Sequence, residues 1–216
     1  MTGNEKDRRT HAHGSRRRAR RARRNRIVIA VTVVAVLLLG LIGMGAWMLL
    51  AKRPEVTVQV FPMEYEALIR AHAAENEIDP ALPAAVILAE SSYLPDAVSN
   101  ANAQGLMQLL PSTAQWIAEK FGETYAEGCL FDPDTNIRYG CWYLGFLTRR
   151  FNGNAVCAAA AYHAGQGTVD GWLANPEYSD DGATLKEIPS EATKTYVTRV
   201  LRYYERYKAL YAPQAA

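Results

Sequence analysis

The chain has 216 residues, 49% of them hydrophobic, enough to bury a sizeable core in one domain with some appendages. The formal net charge of +2 conceals an asymmetry: residues 1–53 hold 13 Lys and Arg against 2 Asp and Glu, a net of +11, and residues 54–216 carry a net of −9. An acidic domain argues against nucleic acid as a partner, because phosphates need Lys and Arg. The three cysteines show neither a CxxC pair nor the Cys/His spacing that holds a metal.

Residues 1–26 read as a basic cytoplasmic tail, with eight arginines between Arg16 and Arg26. From Ile27 to Ala51 no residue is charged, a run of 25 that is long enough to cross a hydrocarbon core of roughly 30 Å as a helix. The excess of arginine before the run places the N-terminus in the cytoplasm and the rest outside. The run is too long for the apolar part of a cleavable signal peptide, and Trp47–Leu50 is a poor cleavage site. An uncleaved transmembrane signal anchor over 27–51 is therefore expected, with a linker over 52–63. Residues 212–216 form a short tail.

Helical signals dominate 64–211. Tyr65, Leu68, Ile69 and His72 recur at helical spacing. Asp79-Pro80 reads as a cap and first helical residue, ahead of a helix carrying Leu82, Val86, Ile87 and Glu90. A loop rich in Asn, Ser, Ala and Gly follows to Gly105. Pro111 opens a helix with Trp116, Ile117 and Phe121, and Asp134 or Thr135 caps the next. An Ala-rich helix over 155–163 is so small in its side chains that it must be central. A short helix over 168–174 and a long one over 190–211 complete a mainly α domain. Cys129 and Cys141 bracket a short loop and a helix start, and are the better pair for a disulfide if the domain is exported.

The stretch Glu90-Ser91-Ser92-Tyr93, then Ser99, then Ala103-Gln104-Gly105-Leu106-Met107-Gln108-Leu109 with Pro111, closely resembles the soluble-lytic-transglycosylase family, a lysozyme-like group. Asn136-Ile137 with Gly140 resembles its N-I-x-x-G segment. Ala161-Tyr162-His163-Ala164-Gly165 resembles its A-Y-N-A-G motif, and Lys194-Thr195-Tyr196-Val197 the end of its E-T-R-x-Y-V motif. These matches run in the family's order across 64–211.

The resemblance implies a goose-type-lysozyme-like helical domain. It also implies cleavage of the β-1,4 bond between N-acetylmuramic acid and N-acetylglucosamine in peptidoglycan, leaving 1,6-anhydro ends. Glu90 is the expected catalytic acid. Its apolar helical neighbours Val86, Ile87 and Ala89 should raise its pKa and keep it protonated near neutrality. Ser99 resembles a hydroxyl that holds the N-acetyl group, and Gly105, Met107 and Gln108 resemble groove positions. Tyr162 resembles a tyrosine that orients the acid by hydrogen bond, and Tyr196 a groove tyrosine. No metal or organic cofactor is implied. The expected partners are glycan strands and, through 27–51, the cytoplasmic membrane.

Two positions depart from the pattern: His163 stands where the family motif has Asn, and Ala192 where it has Glu, with Glu191 one place earlier. The resemblance still counts His163 with the substrate-binding residues, since histidine can donate a hydrogen bond; it can also pack as a neutral core residue or add pH dependence. A hydrolytic muramidase on the same fold and a non-catalytic peptidoglycan-binding module are the competing readings.

Overall fold

The chain divides into two units, Met1–Thr57 and Val58–Ala216. The computed structural model describes residues 61–211, all in the second unit. The expected membrane anchor and most of the linker lie outside the described residues. Within them, no helix is long and apolar enough to cross a membrane.

Seven α-helices make up the described domain: α1 (Glu66–Glu75), α2 (Ala81–Glu90), α3 (Pro111–Phe121), α4 (Pro133–Arg150), α5 (Ala155–Ala164), α6 (Gln166–Leu173) and α7 (Glu191–Tyr211). A 3-10 turn, Cys129–Phe131, leads into α4. The architecture is mainly α, and among the described residues only isolated bridges, Val98 to Gln104 and Gln104 to Leu109, interrupt it.

Seven consecutive residues of α2, Ala81 to Ile87, are buried. A helix apolar on every side needs partners all round, and α2 finds its main one in α7. The Asp79 carboxylate accepts from Ala81 N at 2.9 Å, satisfying a donor at the start of α2. Asn154 does the same for α5, accepting from Val156 and Cys157 N at 3.0 and 3.1 Å. In α5 the run Ala158–Ala161 is buried; its methyl side chains let α4, α6 and α7 all approach.

Two boundaries move from the sequence expectation. The cap of α4 is Asp132, whose carboxylate accepts from Thr135 N at 2.9 Å and Thr135 Oγ1 at 2.7 Å. Pro133 suits the first helical position because its missing N–H would have had no partner there. α6 starts at Gln166 directly after Gly165, whose φ of 87° turns the chain without a break.

The expected Cys129–Cys141 disulfide is corrected: all three cysteines are free thiols. Cys129 sits at the 3-10 turn, while Cys141 is eight residues into α4 and fully buried. A disulfide needs Cα atoms within about 7 Å and both side chains aimed at one another, a geometry the free thiols of Cys129 and Cys141 do not meet.

Candidate active site

Glu90 is the last residue of α2 and borders the irregular segment from Ser91 to Leu110. Side chains pin that segment to the helices. Ser91 Oγ donates to Leu106 O at 2.8 Å. Asn136, buried in α4, donates to Leu130 O at 2.8 Å and to Gln104 O at 3.0 Å, and accepts from Met107 N at 2.8 Å. Tyr162 on α5 donates its hydroxyl proton to Met107 O at 2.7 Å.

These contacts give the N-I-x-x-G segment a structural reason. Asn136 spends its amide on the segment's backbone. Gly140, one turn on, makes room for Met107: a Cβ there would lie 2.1 Å from Met107 Sδ. Gly105 faces the same wall, where a Cβ would meet Leu130 O at 2.1 Å, and its φ of +76° favours glycine in any case. Gly105 and Met107, expected at the groove, are both buried and pack in the floor of this segment.

Burial pushes the Glu90 carboxyl up to about 7, opposed by Tyr196 and then by Arg199, both on α7. Tyr196 is buried, and its hydroxyl stands near enough to Glu90 to ease its ionisation without a hydrogen bond of standard geometry. The same burial, with the Glu90 charge next, drives the Tyr162 and Tyr196 hydroxyls well above the ordinary tyrosine range, so both remain protonated.

A cleft of about 230 Å³ opens beside this centre, lined among others by Gln108, Leu110, Thr113, Tyr143, Tyr162 and His163. A second, of about 360 Å³, is lined by Glu191, Lys194, Thr195, Thr198, Arg199 and Arg202. Glu90 lines neither, but one cleft reaches its neighbour Tyr162 and the other its neighbour Arg199.

Residues 67–184 match the family described as transglycosylase SLT domain. The chain belongs to the transglycosylase SLT domain family. The SLT domain here is 37% identical over 152 residues to the soluble lytic murein transglycosylase of Escherichia coli, covering 68% of this chain and 24% of that protein. It is 31% identical over 132 residues to the membrane-bound lytic murein transglycosylase C of Sodalis glossinidius, covering 53% and 37%. Among solved structures it resembles an inactive mutant of the lytic transglycosylase Slt of Pseudomonas aeruginosa, with a TM-score of 0.62, 38% identity, and 71% and 25% coverage. It also resembles the 70 kDa soluble lytic transglycosylase of Escherichia coli, with a TM-score of 0.65, 30% identity, and 73% and 26% coverage. The chain thus spans about a quarter of the length of the first of these relatives.

The other expected site residues of this SLT domain separate by location. Ser99 is exposed, and its Oγ accepts from Ala101 N at 3.2 Å and Ala103 N at 3.0 Å. Gln108 lines the cleft, and its amide nitrogen donates to Ala97 O and Gly105 O at 3.0 and 2.9 Å. His163 packs its ring on Tyr196 at 4.6 Å between centroids. Sequence reasoning missed Ser91, Arg199 and Thr193 as parts of the site. Thr193, Tyr196 and Arg199 are spaced by three along α7, a signal that they share one helix face.

Proposed function

We propose that this protein is a membrane-anchored peptidoglycan lytic transglycosylase in which Glu90 acts as both acid and base. The observation that carries the reading is the Glu90 carboxyl held near 7 by burial, with its proton available at neutral pH. Among the described residues no carboxylate is a major influence on Glu90, whereas a retaining glycosidase would place its nucleophile only about 5 Å away. A one-carboxylate route fits that environment.

In this route Glu90 protonates the oxygen linking N-acetylmuramic acid to N-acetylglucosamine, and the bond to the anomeric carbon breaks. The carbonyl oxygen of the substrate's own N-acetyl group meets the positive charge on the ring. Glu90, now a carboxylate eased by Tyr196 and Arg199, takes the proton of the muramic 6-hydroxyl. That oxygen closes on the anomeric carbon, so the 1,6-anhydro end forms without water and Glu90 regains its proton. Ser99 keeps its own hydroxyl proton to donate to the N-acetyl carbonyl. Gln108 keeps its amide oxygen to accept from a sugar hydroxyl. The relatives' names as lytic murein transglycosylases support the same reading.

The uncharged run Ile27–Ala51 and the arginines before it support a single-pass anchor with the domain outside the cytoplasmic membrane. Protease added outside spheroplasts should digest the domain.

The test of the chemistry is purified full-length protein in detergent on isolated sacculi, with Glu90→Gln alongside and the products weighed. Anhydro ends, one water lighter than hydrolysed ends, support the proposal. Hydrolysed reducing ends would make the protein a muramidase. Binding without release of fragments by the wild type would make it a glycan-binding module.

A further inference from the structure

His163 occupies a position that the lytic route above leaves without a chemical role. Its ring lies on Tyr196 at 32° between planes, and its Nδ1 is 3.1 Å from Thr193 Oγ1. Thr193 is buried and its hydroxyl donates to Ser190 Oγ at 3.1 Å. A hydroxyl has one proton to give. With that proton on Ser190, Thr193 Oγ1 can meet Nδ1 only as an acceptor, so the imidazole proton sits on Nδ1. The other nitrogen, Nε2, makes no hydrogen bond among the described residues, and the residue is exposed at the cleft wall.

We propose that His163 is a specificity-determining residue of the cleft: Thr193 fixes the neutral ring with its proton on Nδ1, and the bare Nε2 accepts a hydrogen bond from a sugar hydroxyl. This rests on the glycan reading above. Protonation of Nε2 turns that acceptor into a donor and adds a cation where glycosidic cleavage builds positive charge. The ionisable groups around the ring are Tyr196, packed on it, and Arg199, both on α7, with Tyr162 on its own helix and Tyr143 on α4 sharing the cleft wall. Burial, and then Arg199, hold His163 below the ordinary histidine value, so the acceptor form prevails at neutral pH. Asparagine, the residue of the family motif, does not titrate. The departure at this position therefore adds an acid-side limit to activity.

The test uses full-length protein with ¹⁵N-labelled histidine in detergent. The expected spectrum at neutral pH shows the Nδ1–H tautomer for His163, lost in Thr193→Val, and a shift of the Nε2 signal on adding an N-acetylglucosamine tetramer. On sacculi, wild-type kcat/KM should fall about tenfold per pH unit below the His163 pKa. His163→Asn should lack that limb, with KM changed about three- to tenfold. The Nε2–H tautomer in the wild type, an Nε2 signal unmoved by the tetramer, or an unchanged acid limb in His163→Asn would overturn the proposal. The tautomer is read on the wild type without turnover. A wild type that leaves sacculi intact would therefore defeat the lytic reading separately from this one.

Discussion

The Tyr162 hydroxyl gives its proton to the Met107 carbonyl at 2.7 Å, so it has none to offer Glu90. The sequence motif suggested Tyr162 as the residue that orients the acid. In the structure Tyr162 fastens the floor, and Tyr196 is the tyrosine whose hydroxyl is turned to the carboxyl. The two hydroxyls predict opposite consequences of removal.

Tyr196→Phe removes the larger of the two influences that oppose the rise of the Glu90 pKa. The pKa should climb further above 7, and the alkaline limb of kcat/KM should move to higher pH. Stability should change little, because the buried hydroxyl leaves no hydrogen-bond partner behind. Carbon NMR of labelled Glu90 across pH checks the shift. A limb that moves to lower pH would contradict it.

Tyr162→Phe should instead cost about 1–3 kcal/mol in stability, since it strips the Met107 carbonyl of its partner. Urea unfolding measures it. The alkaline limb should stay near its wild-type position.

Glu90→Gln should lower the lytic rate by about 10²- to 10⁴-fold. It also has a stability signature. The folded pKa, about 7, lies above the unfolded value of 4.5, so the folded state holds the proton more tightly. The stability this provides is fully present below 4.5 and is lost as pH rises through 7. From pH 5 to pH 8 the wild type should therefore lose roughly 1–3 kcal/mol that the glutamine variant does not lose. Denaturant midpoints at the two pH values decide it, and parallel pH dependence in both proteins would count against a buried acid.

Gly140→Ala and Asn136→Ala should both loosen the segment beside Glu90, for different reasons. The alanine methyl at 140 collides with Met107 Sδ, and overpacking of this kind costs about 1–3 kcal/mol. Removing the Asn136 amide orphans Met107 N and the Leu130 carbonyl, each a buried group costing about 1–3 kcal/mol, while the Gln104 carbonyl keeps its second donor, Leu109 N. Calorimetric unfolding with lytic rates on sacculi would register both losses together.

The three thiols should be countable in unfolded, unreduced protein. In the native state a thiol reagent should label Cys129 first, because it is half-buried while Cys141 and Cys157 are fully buried. Burial also pushes the Cys141 thiol up, which starves it of thiolate. Equal labelling of all three, or a missing pair of thiols, would argue against these positions.

Much of the fold was legible because helix signals are local. Asp79-Pro80, Pro111 and the alanine run at 155–163 each announce an element through chemistry within a turn or two. Boundaries slipped where two caps compete within a few residues, as at Asp132, Pro133 and Asp134. The site was legible as a set of residue types in order, and Glu90 stood out for its apolar helix. The parts that were misjudged or missed act across the chain. Asn136 reaches 29 residues back to Met107, and Tyr162 reaches 55 residues back to the same residue. Arg199 meets Glu90 only because α7 packs on α2.

The sequence alone determined that the domain is helical, that one glutamate ends an apolar helix, and that a long uncharged run precedes it, since each follows from side-chain character read over neighbouring positions. Tertiary packing decided which tyrosine faces the acid, which glycines serve the floor, that the cysteines stay apart, and which nitrogen of His163 is left bare. Those outcomes depend on where a hydroxyl or amide proton finds its acceptor, and the acceptors lie on other helices, far along the chain.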